Sequence, residues 1–171
     1  MSALDLNTFA PVLVRHDEAE ELGTSPDRML LLADVSTTGG FLSSSRTTLG
    51  RGHDGATPHY HRTSAEMFYV LDGELQILAG EDVVTAKEGD FLLVPPNTAH
   101  AFGATGRSAA DVLIVFTPGI ERFEYFRLID RVRRGEASPS EILATQERFD
   151  NHFIESAAWA AARAQPGKSR S

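Results

Sequence analysis

Three histidines and one glutamate stand at short spacings in the middle of the sequence, at His59, His61, Glu66 and His100. Two histidines at i and i+2 on a β-strand point to the same face, so His59 and His61 can direct two imidazoles at one ion while Tyr60 points away. Glu66 follows after a four-residue connection, and a loop before His100 can return that ring to the same place. Three imidazoles and one carboxylate hold a divalent transition metal and leave positions open for water, dioxygen or substrate.

The alternative is that these residues have no chemical role, since a single histidine in a strand is usually a surface residue or a satisfied core residue.

The absence of cysteine narrows the choice of chemistry. Without thiolates there is no disulfide framework, no cysteine nucleophile and no Cys-ligated zinc or iron-sulfur cluster. Any metal site must therefore use histidine and carboxylate ligands.

Length and composition predict one compact domain over residues 1–171, with 42% hydrophobic residues to fill its core. The formal net charge of -8 comes from scattered acidic residues and leaves no basic stripe for a phosphate backbone or anionic lipid. We therefore expect neither nucleic acid nor a membrane as a partner. No apolar run is long enough to span a bilayer, and the first ten residues lack the features of a signal peptide. The expected location is cytoplasmic.

The elements that must position the four side chains are short strands separated by turns, as in a barrel or sandwich. Asp72-Gly73 between two apolar runs predicts a two-residue hairpin turn. The run at residues 41–49 is rich in Ser and Thr, which predicts a strand with small hydroxyls on one face. A polar linker is predicted at residues 16–27. The predicted strands are residues 9–14, 29–35, 41–49, 67–71, 74–79, 82–86, 91–94, 99–102 and 111–117.

Helical periodicity begins after Pro118 and predicts a C-terminal helical segment over about residues 121–163. The first helix ends at Gly135. The second begins at Ser138, where Pro139 and Glu141 complete a capping box, and runs to about residue 149. A third helical piece is predicted at residues 153–164, and residues 165–171 are predicted to be frayed.

The arrangement of the four candidate ligands resembles the cupin family, whose two motifs are G-x5-H-x-H-x3-4-E-x6-G and G-x5-P-x-G-x2-H-x3-N. His59, His61, Glu66 and Gly73 agree with the first motif. The second is matched by Gly89, Pro95 and His100. The departures, which spare the ligands, are His53 at the opening Gly, Asn97 at the inner Gly and Ala104 at the closing Asn.

The resemblance implies a mainly β fold, a double-stranded β-helix or jelly-roll barrel with its core at about residues 29–118 and a helical C-terminal segment. It also implies one divalent transition metal per chain, which can be Fe, Mn, Ni, Co, Cu or Zn, held by His59, His61, Glu66 and His100. The overall layout is most similar to bacterial quercetin 2,3-dioxygenase-like cupins. Family resemblance further favours a homodimer.

Three functions remain open after this comparison. The first is a metal-dependent oxygenase that uses dioxygen on a small enol, phenol or flavonoid-like molecule, with Glu66 as the base that takes the substrate proton. The second is a redox-neutral cyclase, isomerase or hydrolase, in which the ion acts as a Lewis acid. The third is a cupin that binds a small molecule without turnover.

A substrate pocket is expected around the metal. Phe68 and Val70 share strand parity with Glu66, and Phe102 shares it with His100, so all three can form an apolar wall or belong to the ordinary core. His53, in a glycine-rich loop, can line the mouth of the site or be an idle surface residue.

Overall fold

The computed structural model describes residues 10–164. The first residue of the strand predicted at 9–14 and the frayed end predicted at 165–171 lie outside this range. Ten strands and four helices follow one another along the described chain. The strands are β1 (Glu20–Thr24), β2 (Asp27–Ala33), β3 (Ser43–Leu49), β4 (Asp54–Tyr60), β5 (Ala65–Ala79), β6 (Asp82–Lys87), β7 (Phe91–Val94), β8 (His100–Ala104), β9 (Ala110–Thr117) and β10 (His152–Phe153). The helices are α1 (Val35–Thr38), α2 (Phe123–Arg133), α3 (Pro139–Ala144) and α4 (Ala157–Arg163).

The strands form one curled antiparallel sheet in the order β1-β2-β3-β9-β5-β8-β4-β10. Strand β5 joins its two halves, since it pairs with β9 and β7 along its first part and with β8 and β6 along its second. Inside the curl lies a core of aliphatic and phenylalanine side chains from both halves. The predicted jelly-roll barrel with a C-terminal helical segment is confirmed.

The hairpin predicted at Asp72-Gly73 is wrong, because the chain runs straight through these residues within β5. A β-bulge against β9 lies just before the pair, where the register shifts between Val70 and Asp72 and leaves Leu71 as the extra residue. Before the bulge the even-numbered Phe68 and Val70 are buried, and after it the inward positions include the odd-numbered Leu75. An extra residue in one strand therefore switches which face of β5 points inward.

The hydroxyl-lined strand is confirmed in β3, where Ser43, Ser45 and Thr47 alternate inward with exposed fractions of 5% or less. The predicted strand at residues 9–14 is wrong over its described part, since residues 10–14 are exposed and belong to no strand. The predicted linker at residues 16–27 is also wrong, because it contains β1. An edge strand with one apolar residue facing inward, Leu22, carries too little apolar alternation to be recognised.

The C-terminal helices differ from the prediction mainly in their ends. Helix α2 is confirmed, and α3 begins with the predicted capping box of Ser138 and Glu141 but ends at Ala144. The third helix begins only at Ala157, since His152 and Phe153 pair with β4 as strand β10. None of the helices within residues 10–164 is long and apolar enough to cross a membrane.

Candidate metal centre

The barrel brings the four predicted ligands together although they come from separate strands. His59 lies near the end of β4 with His61 just beyond it, Glu66 is the second residue of β5, and His100 begins β8. Their ligand atoms all lie within 4.8 Å of one another, and each side chain is buried. Tyr60 points away, as predicted, and stacks on the His152 ring with centroids 5.1 Å apart.

Two backbone features hold this arrangement. Strands β4 and β8 pair with His59 directly opposite His100, and the centroids of these two rings are 4.2 Å apart. In the loop before β8, Asn97 adopts a φ of 60°, which asparagine tolerates better than other non-glycine residues. Its backbone N–H donates to the His61 carbonyl at 2.6 Å and so ties the two ligand-bearing segments together.

Each of the three imidazoles has its Nδ1 atom within 2.8 Å of a backbone carbonyl oxygen. A carbonyl only accepts hydrogen bonds, so Nδ1 must carry the proton and Nε2 is left with its lone pair in the neutral ring. We assign the tautomers on this basis. The accepting carbonyls belong to Thr57 for His59, to Asp150 for His61 and to Thr98 for His100.

The Glu66 carboxylate faces these lone pairs at hydrogen-bond distance. Its Oε2 atom is 2.6 Å from Nε2 of His100 and 3.0 Å from Nε2 of His61. With Nδ1 protonated and the rings neutral, all three atoms are acceptors and repel one another unless a proton or a cation lies between them. The donor set therefore suits a cation, and His59, His61, Glu66 and His100 form a candidate metal site of the kind typical of cupins.

The ionisation equilibria favour the metal-binding forms. Burial raises the pKa of Glu66, whereas positive charge and N–H groups at the His100 and His61 rings lower it well below its usual range, an effect that a bound cation supplies when Nε2 carries no proton. Burial lowers the pKa of both His59 and His61, and that of His59 falls far below its usual value. The His59 and His61 rings therefore favour the neutral form, in which Nε2 can bind a metal ion.

Sequence reasoning missed three residues around this site. Arg122, just before α2, is buried beside His61, with Nη2 2.9 Å from Nδ1 of that ring. Asp150 supplies the carbonyl that fixes His61, and Asn151 lies next to it in the chain. These residues lie 61 and more positions after His61, so no local spacing could have associated them with it.

An apolar cavity of about 230 Å³ adjoins the cluster and is lined by His59 and Glu66. This is below the roughly 300 to 1,000 Å³ typical of pockets for drug-sized ligands, which favours a small ligand. Helix α2 closes one side of the cavity. The apolar lining includes Leu22 and Met29 from β1 and β2, Phe102 and Phe116 from the barrel, and Tyr125 and Phe126 from α2.

The four predicted pocket residues occupy different places. Phe102 lines the cavity. Phe68 and Val70 lie in the core, where the Phe68 and Phe102 ring centroids are 5.4 Å apart. His53 is half exposed and lies outside the cavity lining, with Nδ1 2.8 Å from the Asp27 carboxylate.

Comparison with known proteins places this barrel and site in a family. Residues 45–116 match the family model of the cupin domain. A quercetin 2,3-dioxygenase from Bacillus subtilis (strain 168) is 30% identical over 142 residues, which make up 82% of this chain and 40% of that protein. The chain belongs to the cupin superfamily and resembles the quercetin 2,3-dioxygenase-like cupins. It spans about two fifths of the length of this curated relative.

Solved structures show the same fold at lower identity. KdgF from Halomonas sp. superposes with a TM-score of 0.56 at 20% identity, over 67% of this chain and 98% of that one. A protein described as a predicted oxalate decarboxylase from Thermotoga maritima gives a TM-score of 0.55 at 23% identity, over 62% and 98% of the two chains. These likenesses concern the barrel alone.

Proposed function

We propose that this chain is a metal-dependent oxygenase that uses dioxygen to oxidise a small enol, phenol or flavonoid-like substrate. The observation that carries the proposal is the buried cluster of three histidines and one glutamate, two of whose members, His59 and Glu66, face an apolar cavity. The similarity to a quercetin 2,3-dioxygenase supports the reaction class.

The residues His59, His61, Glu66 and His100 would hold one divalent ion, for which Fe, Mn, Ni, Co, Cu and Zn all accept such a donor set. When bound, the ion supplies a Lewis acid and, if it is redox-active, a route for electrons from substrate to dioxygen. The three carbonyl contacts at Nδ1 keep the rings oriented, so the ligand atoms need little rearrangement to bind it.

Glu66 is proposed to accept the proton of the substrate hydroxyl. Its carboxyl group is ionised at neutral pH because its pKa lies well below the usual range. A carboxylate of low pKa is a weak base, so the transfer requires a hydroxyl acidified within the site. Glu66 lines the cavity, which allows a carboxylate oxygen to reach a substrate placed there.

The cavity is proposed to select a flat and mostly apolar molecule. Phe102 and Phe116 line it from the barrel and Phe126 from α2, and such aromatic walls exclude water and favour ring stacking. The carboxylate and imidazole of Glu66 and His59 are polar groups that orient the substrate at the buried end.

Oxygen consumption tests this proposal. Protein reconstituted anaerobically with Fe(II), Mn(II), Co(II) or Ni(II) is mixed with flavonols, catechols and 1,3-diketones in aerated buffer, and oxygen uptake is followed. We expect uptake that requires both the metal and the substrate. Metal-loaded protein that consumes no oxygen with any of them would contradict the oxygenase assignment and favour redox-neutral chemistry.

We also propose that the chain forms a homodimer. Strands β5 and β7 together expose three large apolar side chains, namely Tyr69 at 43%, Phe91 at 61% and Leu93 at 48%. Tyr69 lies directly opposite Phe91 where β5 pairs with β7. A contiguous apolar surface of this kind is typical of an interface between subunits.

A further inference from the structure

Arg122 is a buried cation that forms no direct ion pair with a carboxylate among the described residues. Its side chain is 2% exposed, and Nε has no hydrogen-bond partner. Among the described residues, the guanidinium lies at hydrogen-bond distance only from His61, with Nη2 2.9 Å from Nδ1 and 3.4 Å from Nε2 of that ring. Because Nδ1 of His61 already donates to the Asp150 carbonyl, this contact is not a sound hydrogen bond. The donors of Arg122 are therefore largely unused.

Aromatic rings hold the guanidinium in place without cancelling its charge. Its central carbon lies 4.4 Å from the centroid of Phe116 and 5.3 Å from that of Tyr125. Cation-π contacts of this kind position a cation but leave its hydrogen-bond donors free. A buried charge left in this state costs stability unless a ligand completes it.

A second unused donor lies on a residue that lines the same cavity. The amide Nδ2 of Asn151 is buried without a hydrogen-bond partner, and both Asn151 and Arg122 line the cavity that His59 and Glu66 face. Two buried donors without acceptors at one cavity are the arrangement that an oxygen-rich anion satisfies.

The charge at the site leads to the same conclusion. The carboxylate with the strongest effect on the Arg122 cation is that of Glu66. If the proposed divalent ion is bound, its two positive charges and that of Arg122 exceed the single negative charge of Glu66, and the carboxylates of Asp150 and Asp34 have a weaker effect on Arg122 than Glu66 has. A buried site with such an excess favours a ligand that brings negative charge of its own.

We propose that Arg122 and Asn151 form an anion-binding subsite beside the metal centre, which selects substrates carrying an anionic oxygen, either a carboxylate or an enolate. This inference rests on the proposed metal-dependent function and narrows its substrate class. Arg122 is the residue that determines specificity, since its charge-assisted hydrogen bond distinguishes an anion from a neutral analogue of the same shape.

The test compares matched ligand pairs by isothermal titration calorimetry, using redox-inert Zn(II)-loaded protein of measured metal content. The first pair is 2-naphthoate and 2-naphthamide, which tests a carboxylate. The second is 3-hydroxyflavone and flavone, which tests an enolate-type oxygen formed when the 3-hydroxyl gives its proton to Glu66 on binding. We expect the wild type to bind at least one anionic member roughly 10- to 100-fold more tightly than its neutral partner, and Arg122→Met to lose this preference.

The matched control is Arg148→Met. Arg148 also lies over an aromatic ring, at 4.5 Å from the Phe149 centroid, but it is exposed and pairs with Glu121 at 2.8 Å. We expect it to keep the wild-type preference. Arg122→Lys, which keeps the charge but lacks Nε, should reduce the preference partly and serves if Arg122→Met does not fold.

Stability gives a readout that a purely structural role would not produce. Arg122→Met replaces a buried charge that has no direct ion-pair partner by an apolar side chain. The unfolding temperature of the ligand-free variant should therefore equal or exceed that of the wild type. Asn151→Leu should also weaken binding of the preferred anion.

The proposal is overturned if the wild type binds the members of both pairs equally, if it binds neither anion up to about 1 mM, or if Arg122→Met and Arg122→Lys retain the preference. Its failure differs from that of the proposed function. Bound zinc without anion preference removes only the subsite, whereas anion preference in protein that holds no metal removes only the metal-dependent function.

Discussion

At the scale of single residues, the site depends on groups that never touch the proposed ion. Asp150 adopts a φ of 48° and directs its carbonyl at Nδ1 of His61. Its carboxylate accepts the backbone N–H groups of Arg62 and Thr63 and the Thr63 hydroxyl at 2.6 to 2.9 Å. One residue from the C-terminal segment therefore orients a ligand and also fixes the connection between β4 and β5.

Replacing Asp150 by Ala should weaken both stability and metal binding. We expect a loss of about 2 to 4 kcal/mol in the free energy of unfolding, because several hydrogen bonds disappear and alanine disfavours a positive φ. Metal affinity should fall about 10- to 100-fold as His61 loses its fixed orientation. Denaturant unfolding and metal titration measure the two effects. Asp150→Asn should lose less stability and less metal affinity, because asparagine tolerates the positive φ and keeps one side-chain acceptor.

The stability effect should depend on pH. Burial raises the pKa of Asp150, but the Thr63 hydroxyl and the two backbone N–H groups outweigh burial and lower it. A lowered pKa in the folded state means that the ionised carboxylate stabilises the fold at neutral pH, and this contribution is lost as the pH falls through that pKa. The difference between wild type and Asp150→Ala should therefore narrow in acid. Equal stability and metal affinity at neutral pH would contradict the role assigned to Asp150.

At the scale of elements, strand β5 carries Glu66 and also connects the two halves of the barrel. The bulge at Leu71 switches the inward face of the strand, so that Glu66 and Leu75 both point inside. Gly73 has a φ of 76°, and a Cβ added there would lie 1.9 Å from the carbonyl oxygen of Ala109. Only glycine adopts this positive φ without strain and also leaves room for the Ala109 carbonyl oxygen.

Gly73→Ala should therefore destabilise the barrel by about 2 to 4 kcal/mol. The matched control is Gly80→Ala, where φ is 70° but nothing lies within 4 Å of an added Cβ. We expect that change to cost only about 1 kcal/mol, from the backbone conformation alone. Denaturant unfolding of the two variants measures the difference. If both variants lose the same free energy of unfolding, the close approach of the added Cβ to Ala109 has no energetic cost and the prediction is wrong.

The same strand shows where sequence reasoning stops. An Asp-Gly pair suits a tight hairpin turn, but its positive-φ glycine also fits a strand that continues past a bulge, and only the long-range pairing with β9 decides between them. The ligands were predictable because their spacing is local and repeats a family motif. Arg122 and Asp150 were not, because they reach His61 from 61 and 89 residues away.

At the scale of the whole molecule, the C-terminal segment completes the barrel. Helix α2 covers the cavity with Tyr125 and Phe126, and β10 pairs with β4 beside His59. Strand β7, in contrast, is not covered by the C-terminal segment. Within the described chain it pairs only with β5, and Phe91 and Leu93 are exposed. The chain itself thus covers the cavity, whereas the outer face of β7 leaves apolar side chains exposed.

The proposed dimer predicts a clear response to charge on this surface. The wild type should have the mass of a dimer in size-exclusion chromatography with light scattering. The double change Phe91→Lys and Leu93→Lys should give monomers, since lysine opposes burial of the surface without disturbing the core. Leu143→Lys, at an equally exposed leucine on α3, should remain dimeric. A monomeric wild type, or a double variant that stays dimeric, would contradict the interface.

The central claim is that three histidines and one glutamate hold one divalent ion, and metal content measures this most directly. Wild type, His61→Ala, Glu66→Ala and Tyr60→Phe are each incubated anaerobically with Co(II), freed of excess ion and analysed by mass spectrometry of the metal. We predict about one ion per chain in the wild type and in Tyr60→Phe, and roughly tenfold less in the other two variants, which should remain folded. Full occupancy in His61→Ala and Glu66→Ala would contradict the site.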